Sequence, residues 1–376
     1  MEVSWQRRFL SFLISIPCRI KLFNRKAMPS RIEKVLVMQL DYLGDIVVST
    51  PALKALRNIL PTAFIDLLTS SENKNYIENF PFVNRIFYIK NPLHLGRSAA
   101  HCRDFYKLIS DLPKEKYDLI IELSGKLTNQ LLLFFVKAKY KIGQDPTGDF
   151  YYLDRQIRSK AYHQIDRNLD AVRTVSPFQG NEGAPRPWNP ATDEDRKMVG
   201  ELLKKEMILN MRYIVMHIAA SWKQKQWPAE RWAQVADFFA ENNKKVIFIG
   251  NFQENQYIKE AQMFMRSRKS LNLAGRLSMG ETLALMERSE LFVGNDSGPM
   301  HLAAVVNLKG IVIFGPGDVE RWGYPALHNI IYHKVKCSPC PQFAFRKKCI
   351  KNLMVCKGLM EITVHEVIET CKKALL

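Results

Sequence analysis

Apolar residues in this chain come in short, near-continuous runs separated by segments of helical period, and the alternation occurs twice. Residues 34–40 read Lys-Val-Leu-Val-Met-Gln-Leu, the composition of a parallel strand covered on both faces. A turn at 41–45 follows, then a helical pattern over 46–60 with Pro51 near its start, where a missing N–H costs least. Further strands are expected at 63–69, 85–89, 117–123 and 140–143, with helical segments at 71–80, 104–112 and 128–137. Residues 176–193 interrupt the pattern with a cluster of Pro, Gly, Ser and Asn. It then resumes, with helices at 193–206, 229–242, 254–265 and 278–287 and strands at 213–218, 245–249, 271–273, 291–293 and 310–314. Ser278 followed by Glu281 is a capping-box signature for the last of these helices. Strand and helix in turn predict an α/β class with doubly wound parallel sheets.

A chain of 376 residues exceeds what one core usually fills, so two domains are expected. The breaker-rich stretch is the natural boundary. The resulting division is a segment 1–28, a first domain 29–180, a second domain 191–360 and a closing helix 361–376 that straps back over the first domain. Hydrophobic content of 47% is ordinary for a globular protein.

The formal charge of +18 is not ordinary, and it predicts attraction to anionic partners: nucleic acid, an anionic membrane face or a phosphorylated glycolipid. The charge is spread along the chain, and no DNA- or RNA-binding motif of the usual kinds is present, so nucleic acid is not the expected partner. At the N-terminus, Trp5, Phe9, Phe12, Leu13, Ile16, Ile20 and Phe23 share one helical face, and Arg8, Ser11, Ser15 and Arg19 another. That run is too short to span a bilayer, and no small-residue cleavage site follows it. An amphipathic helix lying on an anionic membrane surface is one reading; a helix packed on the protein's own body is the other.

No Gly-x-Gly-x-x-Gly and no Gly-x4-Gly-Lys-Ser/Thr occurs, which argues against a nicotinamide dehydrogenase and a Walker-type nucleotidase. Phosphate binding must then come from single turns. The best candidate is Gly294-Asn295-Asp296-Ser297-Gly298-Pro299-Met300-His301, between an apolar run and a stretch of helix formers. Gly298 allows close backbone approach, Pro299 suits the first helical turn, and such a turn exposes several backbone N–H groups to an anion at the positive helix end. Ser297 adds a hydroxyl donor, and His301 lies one turn into the helix; an ordinary capped turn is the plainer reading. Asp45 follows Gly44 in the loop after the first strand, as a helix cap or as a general base, with Asp41 its competitor. Lys225, near Ser221 and Lys223 and beside Trp227, reads as a solvated lysine or as a diphosphate contact. Glu254 and Asp296, each at a strand end, read as helix-terminal charges or as acceptors for ribose and sugar hydroxyls. In parallel sheets ligands bind at the carboxyl ends of strands, where all these positions fall. Of seven cysteines, four are spaced Cys337-x2-Cys340-x8-Cys349-x6-Cys356; a structural zinc site and reduced or redox-labile thiols both remain open.

Taken together, Val35-Leu36-Val37-Met38-Gln39-Leu40 through Leu43-Gly44-Asp45 and Pro51-Ala52-Leu53, His217 through Lys225-Gln226-Trp227-Pro228, and Gly294 through His301-Leu302-Ala303-Ala304 resemble glycosyltransferase family 9, the heptosyltransferases of lipopolysaccharide inner-core assembly. They occur in the family's order over about residues 34–360, and the Cys337-Ser338-Pro339-Cys340-Pro341 cluster is similar to one found in many members. The resemblance implies a GT-B fold of two Rossmann-like domains, the acceptor on the first, the nucleotide-sugar on the second and chemistry in the cleft between them. It implies inverting transfer from ADP-L-glycero-D-manno-heptose to a Kdo-bearing lipid A core, with no metal ion and no cofactor. Asp45 would be the base, Lys225 would neutralise the diphosphate, the 297–301 turn would hold the phosphates, and Ser221, Glu254 and Asp296 would contact the donor. Such an enzyme would work at the cytoplasmic face of the inner membrane, peripherally bound. One departure stands out: Ala220 and Ser221 occupy two adjacent positions where the better-known heptosyltransferases carry hydroxyl residues, which leaves room for another nucleotide-sugar and another surface glycan. A sugar-nucleotide epimerase of GT-B type and a non-catalytic glycolipid-binding protein are the readings from other classes.

Overall fold

The computed structural model describes residues 26–90, 109–126, 129–130, 132–144, 153–176, 186–267, 270–340, 349 and 353–375. The amphipathic segment expected at 1–28 lies outside them up to residue 25, as do most of the helix expected at 104–112 and much of the breaker-rich stretch. The chain divides into two compact units, Met1–Arg186 and Pro187–Leu376.

The first unit carries a six-stranded parallel sheet made of β1 (Lys34–Gln39), β2 (Phe64–Ser70), β3 (Arg85–Ile89), β4 (Lys116–Glu122), β5 (Lys137–Gln144) and β6 (Arg155–Ile157), in the order β3-β2-β1-β4-β5-β6. Val35, Leu36, Val37 and Met38 of β1 are at most 1% exposed, which is why this run needs no polar alternation. The helical pattern after β1 is realised as two helices, Leu43–Val47 and Thr50–Ile59, the second with Pro51 in its first turn.

Two expectations for this unit are corrected. The helix expected over 128–137 gives way to a helical pair at 129–130 and a 3-10 turn at Leu132–Phe134, and β5 already begins at Lys137. Lys137, Lys139 and Lys141 alternate with Ala138, Tyr140 and Ile142, a period of two that one half-wet sheet face explains. β6 and the helix Gln164–Arg173 carry no apolar run of their own; the strand holds a single apolar residue, Ile157, and forms because it pairs with β5.

The second unit repeats the plan with β7 (Tyr213–His217), β8 (Lys245–Phe248), β9 (Ser270–Asn272), β10 (Leu291–Asn295), β11 (Gly310–Phe314) and β12 (His328–Tyr332), in the order β12-β11-β10-β7-β8-β9, again all parallel. The helices Asp193–Lys205, Ala229–Glu241, Asn255–Phe264 and Met279–Glu287 cover its faces, and Ser278 with Glu281 forms the expected capping box. β12 was not legible in the hydrophobic pattern. The expectation that the last helix straps over the first domain is corrected: Val364–Leu375 lays Val367 and Cys371 into this unit's own core beside Trp227, Trp232 and Phe239, because its apolar stripe is covered by them.

In both sheets the strand order reverses beside the first strand, between β1 and β4 and between β7 and β10. Chains leaving the carboxyl ends there diverge to opposite sides and leave a crevice, the usual ligand position in doubly wound sheets. Among the described residues no helix is long and apolar enough to cross a membrane.

Candidate functional site

The crevice of the second sheet gathers most of the singled-out residues. His217 closes β7 opposite Gly294 of β10. A Cβ on Gly294 would lie 2.5 Å from the His217 carbonyl oxygen, so only glycine lets the two strands come this close before they part. Just beyond, the Asn295 side-chain amide donates to the carbonyls of Ile218 (2.6 Å) and Ala219 (3.4 Å), tying the two strand ends together. The His217 ring is 2% exposed and lies between two other singled-out residues: Nδ1 is 3.0 Å from Ser297 Oγ, and Nε2 is 3.3 Å from Glu254 Oε2. Glu254 also takes part in a capping box with Asn251, whose backbone N–H donates to Oε2 at 2.8 Å. Burial alone would raise this carboxyl; the facing His217, its hydrogen bond and the Asn251 N–H outweigh burial and hold it below the usual carboxylate range. The carboxyl ends of three adjacent strands, β8, β7 and β10, thus place Glu254, His217 and Ser297 in one chain of hydrogen bonds.

Lys225 sits in a short 3-10 turn, Lys223–Lys225, on the long loop after β7. Its ammonium donates to Asp296 Oδ2 at 2.6 Å and to the Asp296 carbonyl at 3.1 Å. The two side chains are 13% and 7% exposed, so this is a largely desolvated ion pair and not the solvated lysine that loop position suggested. Lys225 and Asp296 lie 71 residues apart, and only the fold pairs them. The loop is held from beneath by Trp227, fully buried, whose indole N–H donates to the Ile362 carbonyl, and by Cys356 N–H donating to the Gln224 carbonyl. Ser221 is exposed on the same loop.

The turn after β10 differs from its sequence reading in three details. The Met300 N–H already donates to the Ser297 carbonyl at 3.1 Å, and Pro299 has no N–H, so less of the helix Gly298–Val305 is open to an anion than the octapeptide suggested. The Met300 side chain is fully buried. His301 is 4% exposed, with Nδ1 2.8 Å from Tyr324 Oη and its ring edge-on to Trp322 and Tyr324; in this structure it packs into an aromatic cluster. Ser297 Oγ lies 3.2 Å from the Asn295 carbonyl as well as beside His217, so its proton has two acceptors within the turn.

In the first unit, Asp45 is half-buried near the start of its helix and accepts the Tyr42 N–H at 3.2 Å, half of a capping box. Its competitor Asp41 is 1% exposed and committed elsewhere: Oδ1 lies 2.9 Å from Lys126 Nζ and 3.2 Å from Asn129 Nδ2. Burial works against the Lys126 ammonium, but Asp41 and Asp45 outweigh it and raise its pKa. Lys126 and Asn129 follow β4, so this network sits at the first sheet's own crevice. Below it, fully buried Glu122 accepts from Ser124 N–H (2.9 Å), the Ser124 hydroxyl, Gly125 N–H (3.0 Å) and the Gln130 amide (2.8 Å). Burial raises its pKa to about 7 in spite of those donors. Sequence reading missed Glu122, Lys126 and His217 as site groups; the available signal was their position at the ends of strands that turned out to be neighbours.

Cys337, Cys340, Cys349 and Cys356 are free thiols lining one cavity with Trp222, Gln224 and Pro316. Among the described residues no three or more His, Cys, Asp or Glu side chains are grouped so as to hold a metal ion, which does not support the structural zinc site.

Residues 105–351 match Glycosyltransferase family 9 (heptosyltransferase). Lipopolysaccharide heptosyltransferase 3 of Escherichia coli is 24% identical over 299 residues, 77% of this chain and 85% of its own length. Lipooligosaccharide heptosyltransferase 2 of Campylobacter jejuni is 25% identical over 333 residues, 85% of this chain and 94% of its own. Among solved structures, the glycosyl transferase family 9 protein from Veillonella parvula superposes with a TM-score of 0.70 at 20% identity, covering 91% of this chain and 97% of its own. Escherichia coli heptosyltransferase WaaC with ADP gives 0.65 at 16% identity, covering 91% and 99%. The fold is the GT-B fold of these enzymes. With the family match over residues 105–351, more than half of the chain, and the motifs in the family's order, this chain belongs to glycosyltransferase family 9.

Proposed function

We propose that this enzyme is an inverting heptosyltransferase that moves heptose from ADP-L-glycero-D-manno-heptose to the lipopolysaccharide inner core, on Kdo-lipid A or heptosyl-Kdo-lipid A. The observation that carries the reading is the convergence of Glu254, His217, Ser297, Lys225 and Asp296 on the β7/β10 crevice of a family 9 chain. Curated relatives named as lipopolysaccharide heptosyltransferases, and a solved relative holding ADP, support the choice of donor and acceptor.

In this reading Asp45 takes the proton of the acceptor hydroxyl as that oxygen bonds to the anomeric carbon from the face opposite the leaving group. The bond from the anomeric carbon to the diphosphate oxygen breaks with its electron pair, and ADP departs with one more negative charge. Lys225 exchanges part of its contact with Asp296 for the diphosphate, and the Ser297–His301 turn adds oriented dipoles, so charge is neutralised by the protein's own groups. Asp296, released in part, accepts a hydroxyl of the sugar, and Glu254 accepts from the ribose. The net charge of +18 and the basic N-terminal segment suit an acceptor embedded in an anionic membrane, reached from the cytoplasmic side by peripheral binding.

The test is transfer by the purified chain from ADP-heptose to heptose-deficient lipopolysaccharide, with and without EDTA, read by mass spectrometry. One added heptose that survives EDTA is the expected result. A folded protein that binds ADP yet transfers nothing from ADP-heptose would direct attention to another nucleotide-sugar, which Ala220 and Ser221 already favour as the second reading.

A further inference from the structure

His217 is too enclosed to meet a substrate, at 2% exposure, yet both of its ring nitrogens are spent on residues that the proposed function assigns to the donor. A carboxylate only accepts, so Nε2–H donates to Glu254 Oε2. At the other side, either Nδ1 accepts the Ser297 hydroxyl proton, or a protonated ring donates Nδ1–H to Ser297 Oγ and leaves that hydroxyl to the Asn295 carbonyl. The ring therefore fixes three things at once: the direction of the Glu254 carboxylate, the direction of the Ser297 hydroxyl, and the spacing between them. The surroundings leave little slack. A Cβ on Gly250 would lie 2.8 Å from Glu254 Oε2, and one on Gly294 would lie 2.5 Å from the His217 carbonyl, so the loop after β8 and the rung between β7 and β10 close tightly around this line of groups.

We infer that His217 is a positioning residue that couples the Glu254 carboxylate to the Ser297 turn, so that a nucleoside diphosphate engages its ribose and phosphate contacts as one unit. The inference rests on the donor assignment above and adds to it a residue that touches neither donor nor acceptor. Free of such coupling, two polar contacts to one ligand contribute independently, and the effects of removing them multiply. Linked through an ordered ring, removal of either one releases the other, and the second removal then costs little.

The experiment is a double-mutant cycle on the full chain with ADP as the probe, read by calorimetry: wild type, Ser297→Ala, Glu254→Gln and the double variant, then the same four on a His217→Gln background. Gln at 217 keeps an amide donor for Glu254 and loses the link to Ser297. In the natural background each single change is expected to weaken ADP about 10-fold, and the double variant to fall short of the product by about 5-fold or more. On the His217→Gln background the effects should multiply. Calorimetry also returns the binding-competent fraction, so a variant that loses folding shows a lowered stoichiometry and is set apart from one whose contacts are weakened. Multiplication within about two-fold in the natural background overturns the role of His217 while leaving the donor assignment standing. Wild-type protein that is folded and does not bind ADP at millimolar concentration overturns the donor assignment, and this inference with it.

Discussion

Gly317 offers a way to break the Lys225–Asp296 pair without touching either residue. A Cβ built on Gly317 would lie 2.0 Å from Asp296 Oδ2 and 3.0 Å from Asp296 Cγ, against the roughly 3.5 Å or more of ordinary contact. The backbone there is outside the left-handed region, so alanine meets no strain of its own. The added methyl therefore acts on one thing: the carboxylate must retreat by roughly 1.5 Å from a position where it stands 2.6 Å from Lys225 Nζ. Separating one partner of a buried pair costs about 3–5 kcal/mol. Lys225 keeps the Asp296 carbonyl at 3.1 Å, which places the loss at the low end. The stiffer unfolded chain of an alanine variant offsets about 0.4–1 kcal/mol more. The net expectation is a loss of about 2–3 kcal/mol, or roughly 4–12 °C in the midpoint of a unit of this size. Urea unfolding followed by tryptophan fluorescence measures it well, since Trp188, Trp222, Trp227, Trp232 and Trp322 all lie in the second unit. ADP affinity should fall in parallel, because the displaced carboxylate no longer sets the lysine. A Gly317→Ala protein within about 0.5 kcal/mol of wild type, with unchanged ADP affinity, would refute the pairing as the organiser of this site.

Asp45→Asn should lower transfer by about 100- to 10,000-fold, the range of a general base, while ADP binding measured by calorimetry stays within two-fold; parallel loss of both would remove its role as base. Glu122 gives a pH test in the first unit. Its folded pKa of about 7 lies above the unfolded value of 4.5, so the stability linked to its protonated form is complete below pH 4.5 and lost as pH rises through 7. The difference of 2.5 units corresponds to about 3 kcal/mol. Denaturant titrations of wild type and Glu122→Gln at pH 5 and pH 8 should show the variant gaining by about 2–3 kcal/mol at the higher pH, part of the effect being already lost at pH 5, and a pH-independent difference would contradict the assignment. Deleting residues 1–28 should abolish co-sedimentation with anionic vesicles and leave the unfolding midpoint unchanged; a truncated protein that still pellets with them places the membrane contact elsewhere.

Much of this molecule follows from local chemistry that its sequence states directly. Runs such as Val35–Met38 and Leu291–Val293, short, rich in β-branched residues and closed by turn residues, read as strands covered on both faces. Ser278 with Glu281 marks a helix start by a hydrogen-bond pattern that is complete within four residues. These signals give the doubly wound class, and the ordered motifs give the family. What the sequence could not state is which strand ends are neighbours. β12, β6 and the full extent of β5 are strands by virtue of a partner, so their own residues carry no period strong enough to announce them. The same holds at the site. Lys225 and Asp296, Glu254 and His217, and Asp41 and Lys126 are separated along the chain and meet because the strand order brings β7 between β10 and β8, and β1 beside β4. Burial then changes what these groups are. A loop lysine becomes a desolvated ion pair, a motif histidine becomes the link between two strand ends, and His301 is drawn into an aromatic cluster. Sequence sets the residue types and the local turns; hydrogen-bond pairing between distant segments, and the loss of water around the groups it encloses, decide their partners and charge.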